Sequence, residues 1–161
     1  MISPFDEDDW EHLHAAHGYV ELGMWLDANE ELEKLRPDVR HDSLVLAILM
    51  VIYKATEKWE LMQTVAKKLT EYDPESPRFP LAWAFATRRV DSLDAARRIL
   101  VEAWKVHEKE PLFPFTIACY MCQLGQVESA KEMLEVAFKM DRGMRRMALE
   151  DEDLKPLWHL I

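Results

Sequence analysis

The sequence predicts an all-α protein, on three observations. Paired helical patterns of large and small apolar residues recur along the chain at a spacing of 34 residues. No stretch alternates apolar and polar residues with period two. Only four glycines occur among 161 residues, and the turn-forming residues cluster between the helical patterns. The stretch Asp42 to Pro74 shows the pattern most fully. Its first piece, Leu44 to Tyr53, is apolar almost all round, and such a helix must be covered on both flanks. Its second piece carries Trp59, Met62, Ala66 and Leu69 on one helical face and closes at Asp73-Pro74.

Taken in order, Ser3-Pro4 reads as a cap followed by a first-turn proline. Asp6, Glu7, Asp8 and Asp9 then place negative charge where a helix N-terminus favours it. The first helix is expected to run to about Leu22 and its pair from about Trp25 to Leu35, with Pro37 ending the unit. Asp42 suits the cap of the next helix, whose pair runs from about Lys58 to Tyr72. Asp73 to Pro80 holds three prolines in eight residues and looks like a linker, but the 34-residue register runs through it. Further helices are expected at about Pro80 to Val90, Leu93 to His107, Leu112 to Leu124 and Val127 to Met140. Gly143 suits a C-cap. Beyond it, Met147, Leu154, Leu157, Trp158 and Ile161 can cover the open face of the last unit, as the terminal units of a solenoid require.

The register aligns Tyr19, Tyr53, Thr87 and Met121, then Trp25, Trp59, Leu93 and Val127. It also aligns Ala28, Met62, Ala96 and Ala130, then Leu35, Leu69, Ala103 and Ala137. With its large-then-small pairs Trp59 and Met62, Leu93 and Ala96, Val127 and Ala130, the chain resembles the tetratricopeptide repeat (TPR) family. The resemblance implies a right-handed α-α superhelix, a solenoid of helical hairpins. It is read as a single domain of four repeats, about 8–41, 42–75, 76–109 and 110–143, with a capping segment at 144–161. The chain departs from the family at two turns, where the glycine present as Gly23 and Gly125 becomes Glu57 and Asp91. The helix-ending Asp-Pro survives only as Asp73-Pro74.

A net charge of -10 argues against general affinity for nucleic acid, whose phosphates call for an excess of Lys and Arg. The N-terminus is acidic where a signal peptide is basic and then apolar, so the chain is expected in the cytoplasm. Its longest apolar run, ten residues, is about half of the roughly 20 that cross a bilayer as a helix. No membrane association is therefore expected. Two cysteines make no disulfide scaffold, which fits a reducing compartment.

Candidate chemistry is sparse. His14 and His17 share a helical face near His12 but have no further ligands nearby in sequence, so no metal site is expected. Cys119 and Cys122 form a CxxC inside an expected helix, away from the N-terminal dipole that lowers a thiol pKa, so they read as packed or groove-lining thiols. No nucleophilic serine motif or phosphate loop is present, and the acidic runs Asp6 to Asp9 and Glu150 to Asp153 read as solvated charge. The chain is thus expected to be no enzyme and to need no cofactor; a metal or thiol enzyme is a remaining alternative.

The resemblance implies instead a concave groove lined by the first helix of each pair. The matching positions are Trp10, Leu13, His17 and Val20; Leu44, Ala47, Val51 and Lys54; Arg78, Leu81, Phe85 and Arg88; and Leu112, Phe115, Cys119 and Cys122. The candidate binding set is His17, Lys54, Arg78, Phe85, Arg88, its neighbour Arg89, Phe115, Cys119 and Cys122. These imply a scaffold or adaptor for protein binding, with a peptide or helix of a partner in the groove. Because Arg forks onto carboxylates, the expected ligand is an acidic segment with one or two large apolar anchors. The basic set by which some relatives hold chaperone tails is absent here except for Arg78. The alternatives are a homodimer or assembly subunit and a secretion-type chaperone.

Overall fold

The computed structural model describes residues 2–161, and several of its helices begin where a side chain can satisfy free backbone N–H groups. Helix α1 (Glu7–Glu21) starts at Asp6 rather than at Ser3-Pro4. The Asp6 carboxylate accepts from the Asp9 N–H at 2.9 Å, and the Asp9 carboxylate accepts from the Asp6 N–H at 3.2 Å. This reciprocal box satisfies two orphan donors at once, while the Ser3 hydroxyl only accepts from the nearby Phe5 N–H. Helix α2 (Trp25–Glu33) stops short of Leu35 because Arg40 takes over its end: the guanidinium donates to the Glu33 and Leu35 carbonyls at 2.6 and 2.8 Å. Helix α3 (Ser43–Ala55) is capped by Asp42, as expected, through the Leu44 N–H at 2.9 Å. Helix α4 (Trp59–Tyr72) completes the second hairpin.

The chain forms two compact units, one ending at Asp73 and one starting at Pro74. The division falls in the three-proline segment. In the first unit α1 pairs with α2 and α3 with α4, while α3 also packs on α1 and α2. Leu13, Ala16, Ala28, Leu32, Leu35, Val45 and Ile52 fill the core between them. Asp9 is buried within this unit and held by the Arg36 Nε at 2.9 Å and the Arg36 N–H at 3.3 Å. Trp25 and Trp59, the large residues of the repeat register, are only partly covered. The hairpin turns need a left-handed residue, supplied by Gly23 at φ +71° and by Glu57 at φ +57°.

The second unit contains α5 (Arg78–Val90), α6 (Leu93–Trp104), α7 (Leu112–Gln123), α8 (Val127–Met140), α9 (Met144–Glu150) and a 3-10 helix (Glu152–Leu160). Pro77 and Pro111 stand at the caps of α5 and α7, where a missing N–H costs no hydrogen bond. The turn between α5 and α6 dispenses with a left-handed residue. Asp91 keeps φ at -111°, and extended Ser92 caps α6 by accepting from the Ala95 N–H at 3.1 Å. Gly125 supplies the next turn at φ +79°. Gly143 is not a C-cap: α8 closes at Asp141, and Gly143, at φ -62°, precedes α9 with its N–H on the Asp141 carboxylate at 2.8 Å. Hairpins α5–α6 and α7–α8 are joined by contact of α6 with α7. The small residues Ala96 and Ala130 are fully buried, as their register positions require. Among the described residues every regular element is a helix, and no strand occurs.

Candidate partner-binding face

Helix α7, LFPFTIACYMCQ, carries no charged residue. A helix apolar all round is stable in water only if other elements cover it on more than one side. Its cover comes from α6, α8 and the 3-10 helix at 152–160. Phe115, Cys119 and Cys122 are consequently buried, at 4%, 3% and 5% exposure. They belong to the core of the second unit, not to an open groove, which corrects the expectation that they line one.

The covering segment is acidic at its start and apolar in its middle. The Asp151 carboxylate caps the 3-10 helix by accepting from the Asp153 N–H at 2.9 Å and also accepts from the Cys119 thiol at 3.6 Å. Asp153 meets Arg88 of α5 in a fork, with Nη1 to Oδ2 at 2.5 Å and Nη2 to Oδ1 at 3.3 Å. The same guanidinium lies 4.9 Å over the Tyr120 ring, where a cation is favoured by the ring face. Gln123 donates its amide to the Asp153 carbonyl at 2.9 Å. Leu154 and Leu157 are fully buried beyond this polar contact, and the Trp158 indole N–H donates to the Ala148 carbonyl at 2.8 Å. The reading of Glu150 to Asp153 as solvated charge therefore fails for Asp151 and Asp153, as the reading of Asp6 to Asp9 fails for Asp9.

The electrostatics follow from burial and charge. The hydrogen bonds that Arg88 donates to the Asp153 carboxylate hold its cation more firmly than usual. Burial pushes the Cys119 thiol far up, and the Asp151 and Asp153 carboxylates add to the rise. Cys122 rises for the same reasons, burial first and then Asp153. Burial also pushes the Tyr120 phenol up to about 12. Both thiols are therefore held as S–H at neutral pH, the reverse of what nucleophilic or redox work needs.

The other candidates lie apart. Arg89 is exposed, 3.9 Å over the Phe85 ring, and donates to the Phe85 carbonyl at 2.7 Å. Arg78 is exposed at the start of α5, 6.0 Å from the Phe79 ring. Lys54 is exposed in the last turn of α3, and His17 is exposed on α1 with Nδ1 3.9 Å from Glu21. His12 is engaged elsewhere, at 2.7 Å from Glu31. No three His, Cys, Asp or Glu side chains gather into a metal site among the described residues. Nor is any helix there long and apolar enough to cross a membrane.

Of the nine candidates, Phe115, Cys119 and Cys122 share the core of the second unit, Arg89 stacks on Phe85, and Arg88 and Cys119 meet the acidic segment at Asp153 and Asp151 beside Tyr120. Sequence reasoning missed Asp153 and Gln123, whereas Leu154 and Leu157 are buried in the covering role expected of them. The available signal was two carboxylates at 151 and 153 running directly into leucines at 154 and 157, a pattern that a purely solvated run does not need.

No protein-family model and no curated protein matches the chain. Solved structures of MamA do resemble it. MamA from MSR-1 is 22% identical over 87% of this chain and 82% of its own, with TM-score 0.73. MamA from AMB-1 is 23% identical over 87% and 78%, with TM-score 0.71. A further MamA crystal structure is 15% identical over 95% and 82%, with TM-score 0.76. At these identities the likeness concerns the fold, an all-α array of helical hairpins.

Proposed function

We propose that this protein is a non-catalytic scaffold of four tetratricopeptide-like hairpins that holds a segment of a partner protein against its first helices. One observation carries the reading. Arg88 of α5 and the surface of α7 hold a protein segment through a forked Arg88–Asp153 pair and two buried leucines, with α8 and α9 completing its cover. A surface that binds one peptide segment through charge and apolar anchors has the chemistry to bind another. The fold shared with MamA supports a protein-interaction role in general terms. On this reading Arg78, Phe85 and Arg89 border the binding face, and His17 and Lys54 mark the matching helices of the first unit.

Co-purification followed by cross-linking and mass spectrometry tests the proposal. Cross-links from the partner should concentrate on α1, α3, α5 and α7. Cross-links confined to α2, α4, α6 and α8 would assign the wrong face. A concentration-dependent dimer by light scattering, with no second protein bound, would favour the assembly-subunit alternative.

A further inference from the structure

We propose that the face made by α5 and α7 recognises acidic, leucine-bearing segments, and that residues 151–161 are the chain's own copy of that ligand, exchanged for a partner's. The inference rests on the scaffold reading and names the chemistry of its ligand.

Three features of the segment support exchange. First, its contacts are those of a bound peptide. Arg88 reaches Asp153 across 65 residues of sequence, and Gln123 reads the Asp153 backbone carbonyl, a group that any peptide presents. Second, Leu154 and Leu157 stand three residues apart on a 3-10 helix, so their side chains fall in line on one side. Both are fully buried, whereas Glu152, Lys155, Pro156 and His159 face solvent. Third, the segment is weakly built in itself. It continues as a 3-10 helix for nine residues with Pro156 inside, although such helices are poorly bonded and seldom exceed three or four residues. Its conformation depends on the face that it covers.

The charge-free surface of α7 forbids simple release, because Cys119, Cys122 and their apolar neighbours would meet water. The segment leaves when another arrives with the same elements: a carboxylate for Arg88, followed by leucines spaced like Leu154 and Leu157. An acidic protein segment of the pattern Asp-Leu-x-x-Leu supplies them. The internal copy acts as a competitor and lowers the apparent affinity for the partner by the binding free energy that it gives up on displacement.

The test uses the full chain and a fluorescent synthetic peptide with the sequence of residues 151–161, followed by anisotropy. Asp153→Ala weakens the internal copy and leaves the face intact, so it should bind the peptide at least about tenfold more tightly than the parent, a difference of about 1.4 kcal/mol. Adding Arg88→Ala to that variant should abolish the gain, as should asparagine at the peptide position matching Asp153. If Asp153→Ala fails to fold, the charge swap Arg88→Asp with Asp153→Arg decides. It should bind a peptide carrying arginine at the matching position more tightly than the original peptide. Equal binding by parent and Asp153→Ala would overturn the proposal, as would equal binding of both peptides by the swap. Exchange of the segment between two copies, seen as a dimer of Asp153→Ala that ignores the peptide, would overturn it too. A co-purified partner cross-linked to α1 and α3 while the peptide fails would sink this inference and leave the scaffold reading standing.

Discussion

Glu57 occupies a left-handed backbone position that its neighbours in the repeat register give to glycine or avoid. Holding an L-residue there costs roughly 1–2 kcal/mol, while glycine adds roughly 0.5–1 kcal/mol of chain entropy to the unfolded state. Glu57→Gly should therefore stabilise by up to about 1 kcal/mol, read from the urea midpoint. Gly125→Ala is the converse: open space surrounds the position where a Cβ would go, so in the folded state the φ of +79° alone sets the effect. A loss of up to about 1 kcal/mol is expected, the strain of the left-handed residue being partly offset by the chain entropy that glycine no longer adds to the unfolded state. The Asp9 carboxyl gives a pH signature. Burial pushes it up, but hydrogen bonds from Arg36 and from the Asp6 N–H outweigh burial and leave it below its ordinary value of 3.8. A carboxyl lowered on folding stabilises the native state above its unfolded value and loses that contribution as pH falls through the folded one. The melting temperature of the parent should thus fall towards that of Asp9→Asn as pH drops below 3.8, and parallel curves would refute the assignment. The sequence showed where a turn was needed at Glu57, because the register placed glycine there. It did not show that Asp91 escapes the need, because that depends on the cap made by the next residue, Ser92.

At the level of the helix, the apolar register was legible and the ends were less so. Helix α8 runs from Val127 to Met140 as its periodicity predicts, whereas α2 ends early through Arg40, a side chain seven residues beyond Glu33. Periodicity reports which face is buried, and a distant capping donor leaves no mark on it. The site divides in the same way. Register brought Arg88 to the right face, but its partner Asp153 lies 65 residues on, in a run whose default state is hydration. The burial of Cys119 and Cys122 follows from a segment that the repeat pattern does not contain. Both thiols should resist iodoacetamide at pH 8 in the native protein and react rapidly in urea, since they are covered and held protonated. Rapid native labelling of Cys119 would mean that the covering segment is not seated. On α8, Ala130 is fully buried at its small-residue position, and Ala130→Leu should overpack it at a cost of about 1–3 kcal/mol. A variant that melts like the parent would show slack in that contact.

Across the whole molecule, the continuous 34-residue register coexists with two compact units divided between Asp73 and Pro74. Each has its own buried cluster. Hydrogen exchange in mild urea should accordingly resolve two cooperative blocks with their border in the three-proline segment. A single block spanning residues 60–90 would contradict this. The register could not reveal the division because it records spacing, which a proline-rich connection preserves. The segment 151–161 has a further consequence of this kind. It follows α9 directly, with Asp151 as the only residue between the two helices, so its local concentration at α7 is set by a tether and not by expression level. Short tethers present a ligand at millimolar effective concentrations. On the proposed exchange, a competing segment must overcome that figure, so weak acidic sequences abundant in a cell would be filtered out. The face would then answer to a threshold of affinity, and that threshold would be reset by lengthening one short connection without touching a single binding residue.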